Sequence, residues 1–307
     1  MLGNIQSNKM SGMIFDLKRF AVHDGPGIRT TVFLKGCPLR CPWCHNPEGV
    51  SASPELSCLE HRCIGCGECV AVCPNHAHFF ENQIHKFDRA RCTACGKCAE
   101  ACLGRALRLY GRVESVDALM PKLLEDREFY ESSGGGVTLS GGEVLLQVDF
   151  ASELLARLRT ENIHTAVDTS GYAPWKAFSQ ILPYTEMFLY DFKHPDDMLH
   201  QKVIGVSNRR ILDNLKRLSE TGKRIEIRIP VIPGFNDTPD VVLKMAKFLV
   251  SLKNPVSVRI LPYHDLARGK YHALGKHDTM PLVPPPDSQA LKRISDCFLA
   301  NGIHCVD

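Results

Sequence analysis

The chain has 307 residues, 44% of them hydrophobic and 23% charged, which are the proportions of a folded globular protein and exclude a largely disordered one. Its formal charge of +3, from 37 basic against 34 acidic side chains, is too small and too evenly spread to indicate a nucleic-acid partner. No stretch approaches the ~18 consecutive apolar residues of a membrane span. Residues 1–11 are polar and lack the apolar run of a signal peptide, so a cytoplasmic location without a membrane partner is expected. The length suits two domains or one α/β barrel.

Residues 13–19 alternate as an edge strand does, and residues 31–35 form a short β-branched apolar run. After them come twelve of the chain's 14 cysteines, between Cys37 and Cys102. In a reducing compartment such a cluster reads as metal binding rather than as a disulfide framework. Cys37-Pro-Leu-Arg-Cys41-Pro-Trp-Cys44 has the spacing C-x3-C-x2-C. Three thiolates so placed hold three irons of a [4Fe–4S] cube and leave the fourth open, as a catalytic metal requires; a site closed by a remote His or Asp is the alternative.

Cys63, Cys66, Cys69 and Cys73-Pro74 reproduce C-x2-C-x2-C-x3-C-P, the bacterial ferredoxin run, and Cys92, Cys95, Cys98 and Cys102 repeat it with Leu103 in the proline's place. In paired runs the fourth cysteine serves the other cube. Cys63, Cys66, Cys69 and Cys102 are therefore assigned to one cluster, and Cys73, Cys92, Cys95 and Cys98 to the other. Zinc modules use paired knuckles with longer gaps and match this spacing less well. Three clusters in all bring the net charge to about −2, since a four-thiolate cube carries about −2 and a three-thiolate cube about −1.

Beyond the cysteines, strand and helix patterns alternate. Helices are predicted at 115–130, 148–160, 174–182, 208–221, 238–252 and 288–300, and strands at 137–140, 164–168, 187–192, 224–232 and 256–261. With residues 31–35 this makes six βα units with apolar strands, an α/β fold with a parallel sheet covered by helices and an incomplete six-unit barrel. Residues 53–109 interrupt the first unit as a ferredoxin-like insert, between a barrel start at 1–52 and its remainder at 110–307. Barrel insertions sit at the strand C-terminal ends, where catalysis occurs, so the insert is placed to deliver electrons. The three prolines at 284–286 make a stiff connection before the last helix.

Other chemistry falls at strand ends. Gly141, Gly142 and Glu143 follow the second strand; glycines allow close backbone approach, and the Glu can pair with an ammonium group. Asp191-Phe192-Lys193 closes the fourth strand and Leu261-Pro-Tyr-His264 the sixth. Asp168-Thr169-Ser170-Gly171 and Arg228 are weaker candidates. Cys58, Cys297 and Cys305 match no ligand role and read as free thiols.

The C-x3-C-x2-C motif resembles the signature of the radical S-adenosylmethionine (SAM) superfamily, and Gly141–Glu143 resembles its GGE motif. With Asp24-Gly-Pro-Gly-Ile-Arg-Thr30, Trp43, His45, Asp191–Lys193 and Leu261–His264, almost the whole chain resembles glycyl radical enzyme activating enzymes. The ferredoxin insert is similar to that of the group activating glycerol dehydratase, choline trimethylamine-lyase and isethionate sulfite-lyase. The resemblance implies an oxidoreductase of anaerobic cells with three [4Fe–4S] clusters. SAM would be chelated by the open iron of the Cys37/Cys41/Cys44 cube and held by Trp43, Cys44, His45, Gly141, Gly142, Glu143, Asp191, Phe192, Lys193 and His264. It further implies reductive cleavage of SAM and removal of a glycine Cα hydrogen from a partner glycyl radical enzyme, with a flavodoxin or ferredoxin-type reductant. A radical SAM enzyme acting on a small molecule or peptide is the alternative.

Overall fold

The computed structural model describes residues 10–254 and 256–306; most of the polar 1–11 stretch lies outside the described residues. The chain opens with β1 (Ser11–Ala21) and β2 (Arg29–Leu34), an antiparallel pair. The cysteine-rich segment follows and contains β3 (Glu55–Cys58), β4 (His78–Glu81), β5 (Ile84–Phe87) and β6 (Leu107–Tyr110). These strands form two small two-stranded sheets, β3–β6 and β4–β5, separate from the main one. β7 (Arg112–Ser115) returns to pair with β1. Then come β8 (Gly136–Gly141), β9 (His164–Thr169), β10 (Met187–Asp191), β11 (Arg224–Val231), β12 (Ser257–Pro262) and β13 (His304–Val306).

The main sheet has nine strands in the order β13-β12-β11-β10-β9-β8-β2-β1-β7. From β2 to β13 every neighbouring pair is parallel. Each new strand joins beside the previous one. Right-handed crossovers repeated in one direction put all the connecting helices on the same face, which is the strand order of an incomplete barrel.

Alternation along the strands then sorts the side chains. Val137 and Leu139, Val167, Phe188 and Tyr190, and Ile225, Ile227, Ile229 and Val231 lie in the main core with helix residues such as Leu154, Leu158, Phe178, Leu215 and Leu218. The intervening positions fall on the opposite face. There Ala166, Met187 and Leu189 form a small apolar cluster, while Ser140, Asp168, Asp191 and Arg228, nearer the strand C-terminal ends, line a cavity. One face carries stability and the other chemistry.

The predicted strands and helices occur, with three differences. The 115–130 pattern is two helices, Val116–Leu124 and Arg127–Ser133. Asp126 between them is fully buried and accepts hydrogen bonds from Arg19 Nε (2.8 Å) and Thr30 Oγ1 (2.9 Å), a tertiary demand that periodicity cannot reveal. β7 and β13 extend the sheet at its two edges, so the 13–19 segment expected at an edge is instead paired on both sides, with β2 and β7. Two short helices, Asp197–Ile204 and Arg268–Leu274, stand after β10 and β12. The first is capped by Asp196, which accepts from Leu199 N at 2.8 Å, and ends at Gly205 in the left-handed region.

Gly134 and Gly135 precede β8 for different reasons. Gly134 caps a helix at φ 67° with nothing near the position of a Cβ, whereas a Cβ on Gly135 would lie 1.8 Å from Ile28 O. Gly134→Ala should cost about 1–2 kcal/mol of backbone strain. Gly135→Ala should cost more, ~3 kcal/mol, because β2 and β8 must separate. Urea midpoints of the two variants check the ranking, and equal costs would contradict it.

Candidate functional site

The largest cavity described, about 600 Å3, opens at the C-terminal ends of the parallel strands. Its wall includes all three thiols of the C-x3-C-x2-C motif, with Trp43, His45, Gly141, Gly142, Asp191, Lys193 and His264. Asp168, Thr169, Ser170 and Arg228 also face it, as do His23 and Asp24. Among the described residues no helix is long and apolar enough to cross a membrane.

Backbone bonds fix the cysteine loop to the end of β8. Gly142 N donates to Leu34 O (2.8 Å), Glu143 N to Gly36 O (2.7 Å), and Gly36 N to Gly49 O (2.8 Å). A Cβ on Gly142 would sit 2.1 Å from Gly36 O, so this glycine lets the loop and strand end approach. From the other side, the short helix Arg268–Leu274 and the segment after it hold the loop by its carbonyls. Lys270 Nζ donates to His45 O (2.8 Å) and Glu48 Oε1 (2.7 Å), and Tyr271 OH to Cys44 O (3.2 Å). Lys276 Nζ donates to Pro47 O (2.7 Å) and Thr279 Oγ1 to Pro42 O (2.9 Å). His45 and His264 stack with ring centroids 4.1 Å apart, and Trp43 rests on Phe235.

Charge in the cavity is arranged in pairs. Lys193 Nζ donates to Asp191 Oδ2 at 2.5 Å. Burial alone would lower this lysine's pKa, but the Asp191 carboxylate outweighs it and keeps the ammonium charged. Burial pushes Cys37 and Cys41 up to about 12, with Lys193 opposing at Cys41, and raises Cys44 as well. The three are thiols in the metal-free protein, and any metal that binds them must displace protons. Burial raises the Asp168 carboxyl to about 6, against the pull of Arg228 and a 2.7 Å bond from Ser140 Oγ. Arg228 Nη1 lies 3.6 Å from Asp168 and 3.9 Å from Asp24, while its buried Nε has no hydrogen-bond partner.

Two residues singled out in the sequence are not on the cavity wall. Glu143 is fully buried, and its carboxylate accepts from Thr169 Oγ1 (2.7 Å), Ser170 N (3.0 Å), Ser170 Oγ (2.5 Å) and Leu145 N (3.1 Å). Its acceptor sites are engaged in tying the ends of β8 and β9 together. Phe192 alternates to the core side, against Phe248. Arg29, in the Asp24–Thr30 motif, is likewise a buried brace. It donates to Thr138 Oγ1 (2.7 Å), Val137 O (2.8 Å) and Pro26 O (3.1 Å), and so carries the loop bearing His23 and Asp24.

The remaining ligand-type cysteines form two nests. Cys63, Cys66, Cys69 and Cys102 line one small cavity, and Cys73, Cys92, Cys95 and Cys98 line another. Backbone N–H groups of Ala77, Ala94 and Ala106 donate to the sulfurs of Cys73, Cys92 and Cys102 at 3.2–3.3 Å. Cys58 is buried between the nests, with Leu56, Cys69, Cys98 and Leu107, and lines neither. The segment is seated on the rest of the molecule by Arg89, which donates to Leu56 O and Ala273 O at 2.7 Å each, and by the ion pair of Lys276 with Glu55.

With this geometry in view, the chain belongs to the radical SAM superfamily, whose family profile, described as "Radical SAM superfamily", matches residues 31–248. A radical SAM methyltransferase from Sphaerobacter thermophilus shares the fold, with a TM-score of 0.54 at 17% identity over 96% of this chain and 72% of that one. Closer relatives narrow the group. The chain is 41% identical over 292 residues to the choline trimethylamine-lyase activating enzyme of Oleidesulfovibrio alaskensis, covering 93% of this chain and 94% of that protein. It is 39% identical to the (2S)-3-sulfopropanediol dehydratase activating enzyme of Klebsiella oxytoca (96% of each). It is 42% identical to the trans-4-hydroxy-L-proline dehydratase activating enzyme of Clostridioides difficile (96% and 98%). Within the superfamily it is a member of the activating enzymes of glycyl radical enzymes.

Lys270, Tyr271, Lys276 and Thr279 were not legible as site residues. Lys270→Met removes the partner of Glu48, whose side chain is only 4% exposed. The loss should cost the cysteine loop about 1–3 kcal/mol of local stability, so amide exchange over residues 37–50 should quicken about tenfold or more. Unchanged exchange would show that the loop does not depend on this lysine.

Proposed function

We propose that this protein binds SAM in the 600 Å3 cavity and installs a radical on a glycine of a partner lyase or dehydratase. The observation that carries the reading is that Cys37, Cys41 and Cys44 share one cavity wall with the strand-end groups Gly142, Asp191, Lys193 and His264. The donor set fits a [4Fe–4S] cube with one open iron: three half-buried thiols on one cavity wall, with Lys193 near Cys41 to favour the thiolate. When bound, the cube and SAM supply reductive cleavage of the SAM sulfur–C5′ bond and the deoxyadenosyl radical that takes the glycine Cα hydrogen.

The chain's own residues bind, orient and shield. Trp43, His45 and His264 offer ring faces and edges beside the open position, and the backbone at Gly141 and Gly142 offers close approach. Asp191 and Lys193 present opposite charges to a zwitterionic ligand. Asp24, Asp168 and Arg228 stand on the same wall, where an incoming glycine-bearing loop meets it. No general base is required by this chemistry.

The two four-cysteine nests fit two further [4Fe–4S] clusters in a ferredoxin-like insert spanning residues 53–109. The support is their membership: each nest combines three cysteines of one run with the fourth of the other, the interleaving of a two-cluster ferredoxin. Electrons then pass from a flavodoxin or ferredoxin-type donor through the insert to the barrel site, in an anaerobic cytoplasm.

Cys44→Ala tests the division of labour. Anaerobically reconstituted protein should hold about 12 irons and the variant about 8, with deoxyadenosine formation lost while the insert clusters persist. Retained cleavage would remove Cys44 from the catalytic site. Loss of nearly all iron would mean that the insert is not an independent unit.

A further inference from the structure

β4 and β5 are joined by Asn82 and Gln83, both in the left-handed region at φ 50° and 64°, as a two-residue type I′ hairpin turn requires. The turn fixes the register His78↔Phe87 and Phe80↔His85. Alternation then places His78, Phe80, His85 and Phe87 on one face of the hairpin. That face lies over the cysteine nests. Phe80 and His85 line the cavity of Cys63, Cys66, Cys69 and Cys102. His78 lines the cavity of Cys73, Cys92, Cys95 and Cys98. Phe87 packs against the apolar layer that contains Cys58, Cys69 and Cys98.

The two imidazoles meet between the nests. His78 Nδ1 and His85 Nε2 are 3.0 Å apart, with the ring planes inclined by 21°. One nitrogen of each ring and Cys69 Sγ all lie within 4.8 Å of one another. Two apolar side chains would be cheaper to bury here, so the choice of histidine calls for a reason in what the rings touch. A hydrogen bond between two ring nitrogens holds one proton, so the ring that accepts it carries its own N–H on its far nitrogen, directed outward. With one proton on each ring, the donating ring's far nitrogen offers a lone pair at the other end of the pair.

We propose that His78 and His85 are positioning residues for electron transfer: the pair bridges the two nests and gives its one outward N–H to the sulfur of one cluster, raising that cluster's reduction potential above the other's. Hydrogen bonds to cluster sulfurs raise the potential. The backbone donors already present serve both nests, since Cys73 and Cys92 are in one and Cys102 is in the other. The histidine pair supplies one donor that the nests cannot share. The inference rests on the two-cluster reading of the insert given above.

The test is a redox titration followed by EPR on reconstituted protein carrying Cys44→Ala, so that only insert clusters contribute signals. In that background His85→Phe keeps a ring on the hairpin face and removes the nitrogens, while His85→Gln retains a side-chain N–H. The expected result is about 8 irons in the parent and in both variants. One of the two potentials should fall in His85→Phe, the other should hold, and most of the shift should be restored in His85→Gln. Two unmoved potentials in His85→Phe at full iron content would overturn the proposal. If His85→Phe loses a cluster, His78→Phe, which breaks the same bond from its other side, should show the fall. Cluster loss in both variants would mark the rings as structural only and also overturn it. A parent holding only one four-iron cluster would instead refute the two-cluster reading, and the two failures are thereby told apart.

Discussion

Three thiols can share one iron cluster only if the backbone that carries them is held still, and the chain achieves this with bonds to main-chain atoms on both sides of the loop. On the sheet side, Gly142 and Glu143 donate to Leu34 and Gly36, in a contact that a side chain at position 142 would prevent. On the helix side, Lys270, Tyr271, Lys276 and Thr279 reach the loop's carbonyls. Because most of these bonds grip backbone, with the Glu48 side chain held by Lys270 as an exception, Trp43, Cys44 and His45 stand on the cavity wall.

The position of that cavity follows from strand alternation. Every second residue of β8 to β11 goes to the helices and supplies the core, and the others face inward, with Ala166, Met187 and Leu189 low in the sheet and Ser140, Asp168, Asp191 and Arg228 nearer the strand ends. The burial that stabilises the sheet thus also lowers the dielectric around Asp168, Asp191 and Lys193, and the Asp191–Lys193 pair and the contacts of Asp168 with Arg228 and Ser140 offset the cost. Glu143 joins this frame rather than the cavity wall, holding the ends of β8 and β9 in register. Its carboxylate, next in the chain to Gly141 and Gly142, is satisfied by Thr169, Ser170 and Leu145.

Much of this was legible in the sequence because it depends on local pattern. Spacing grouped the cysteines, and short β-branched or apolar runs located the six main parallel strands, with helical patterns between them. What was not legible depends on distant partners. Asp126 breaks a helical pattern to reach Arg19 and Thr30, more than 90 residues away. Arg29 resembles a site residue within its motif and is a brace, since only the fold reveals that Thr138 and Val137 await it. Lys270 and Tyr271 sit in a seven-residue helix too short for a periodic signal, more than 220 positions from the carbonyls they hold. Glu143 and Phe192 were given to the ligand by resemblance; strand alternation turns Phe192 to the core, and the donors Thr169, Ser170 and Leu145 hold the Glu143 carboxylate.

The same physical economy recurs in the cysteine-rich segment, where two small sheets, one of them the β4–β5 hairpin, accompany eight thiols in two nests with a small core of their own. The central claim is that the thiols at 37, 41 and 44 serve a cavity built to act on a glycine of another protein, and the most direct measurement is EPR of a partner. Reduced protein and SAM are incubated anaerobically with a cognate lyase or dehydratase of the kind its relatives activate. The expected result is a glycyl doublet on the partner, about one deoxyadenosine per radical, and no stable radical when the partner's glycine is replaced by alanine. Deoxyadenosine formed while a small molecule is consumed, with no partner acquiring a signal, would contradict it.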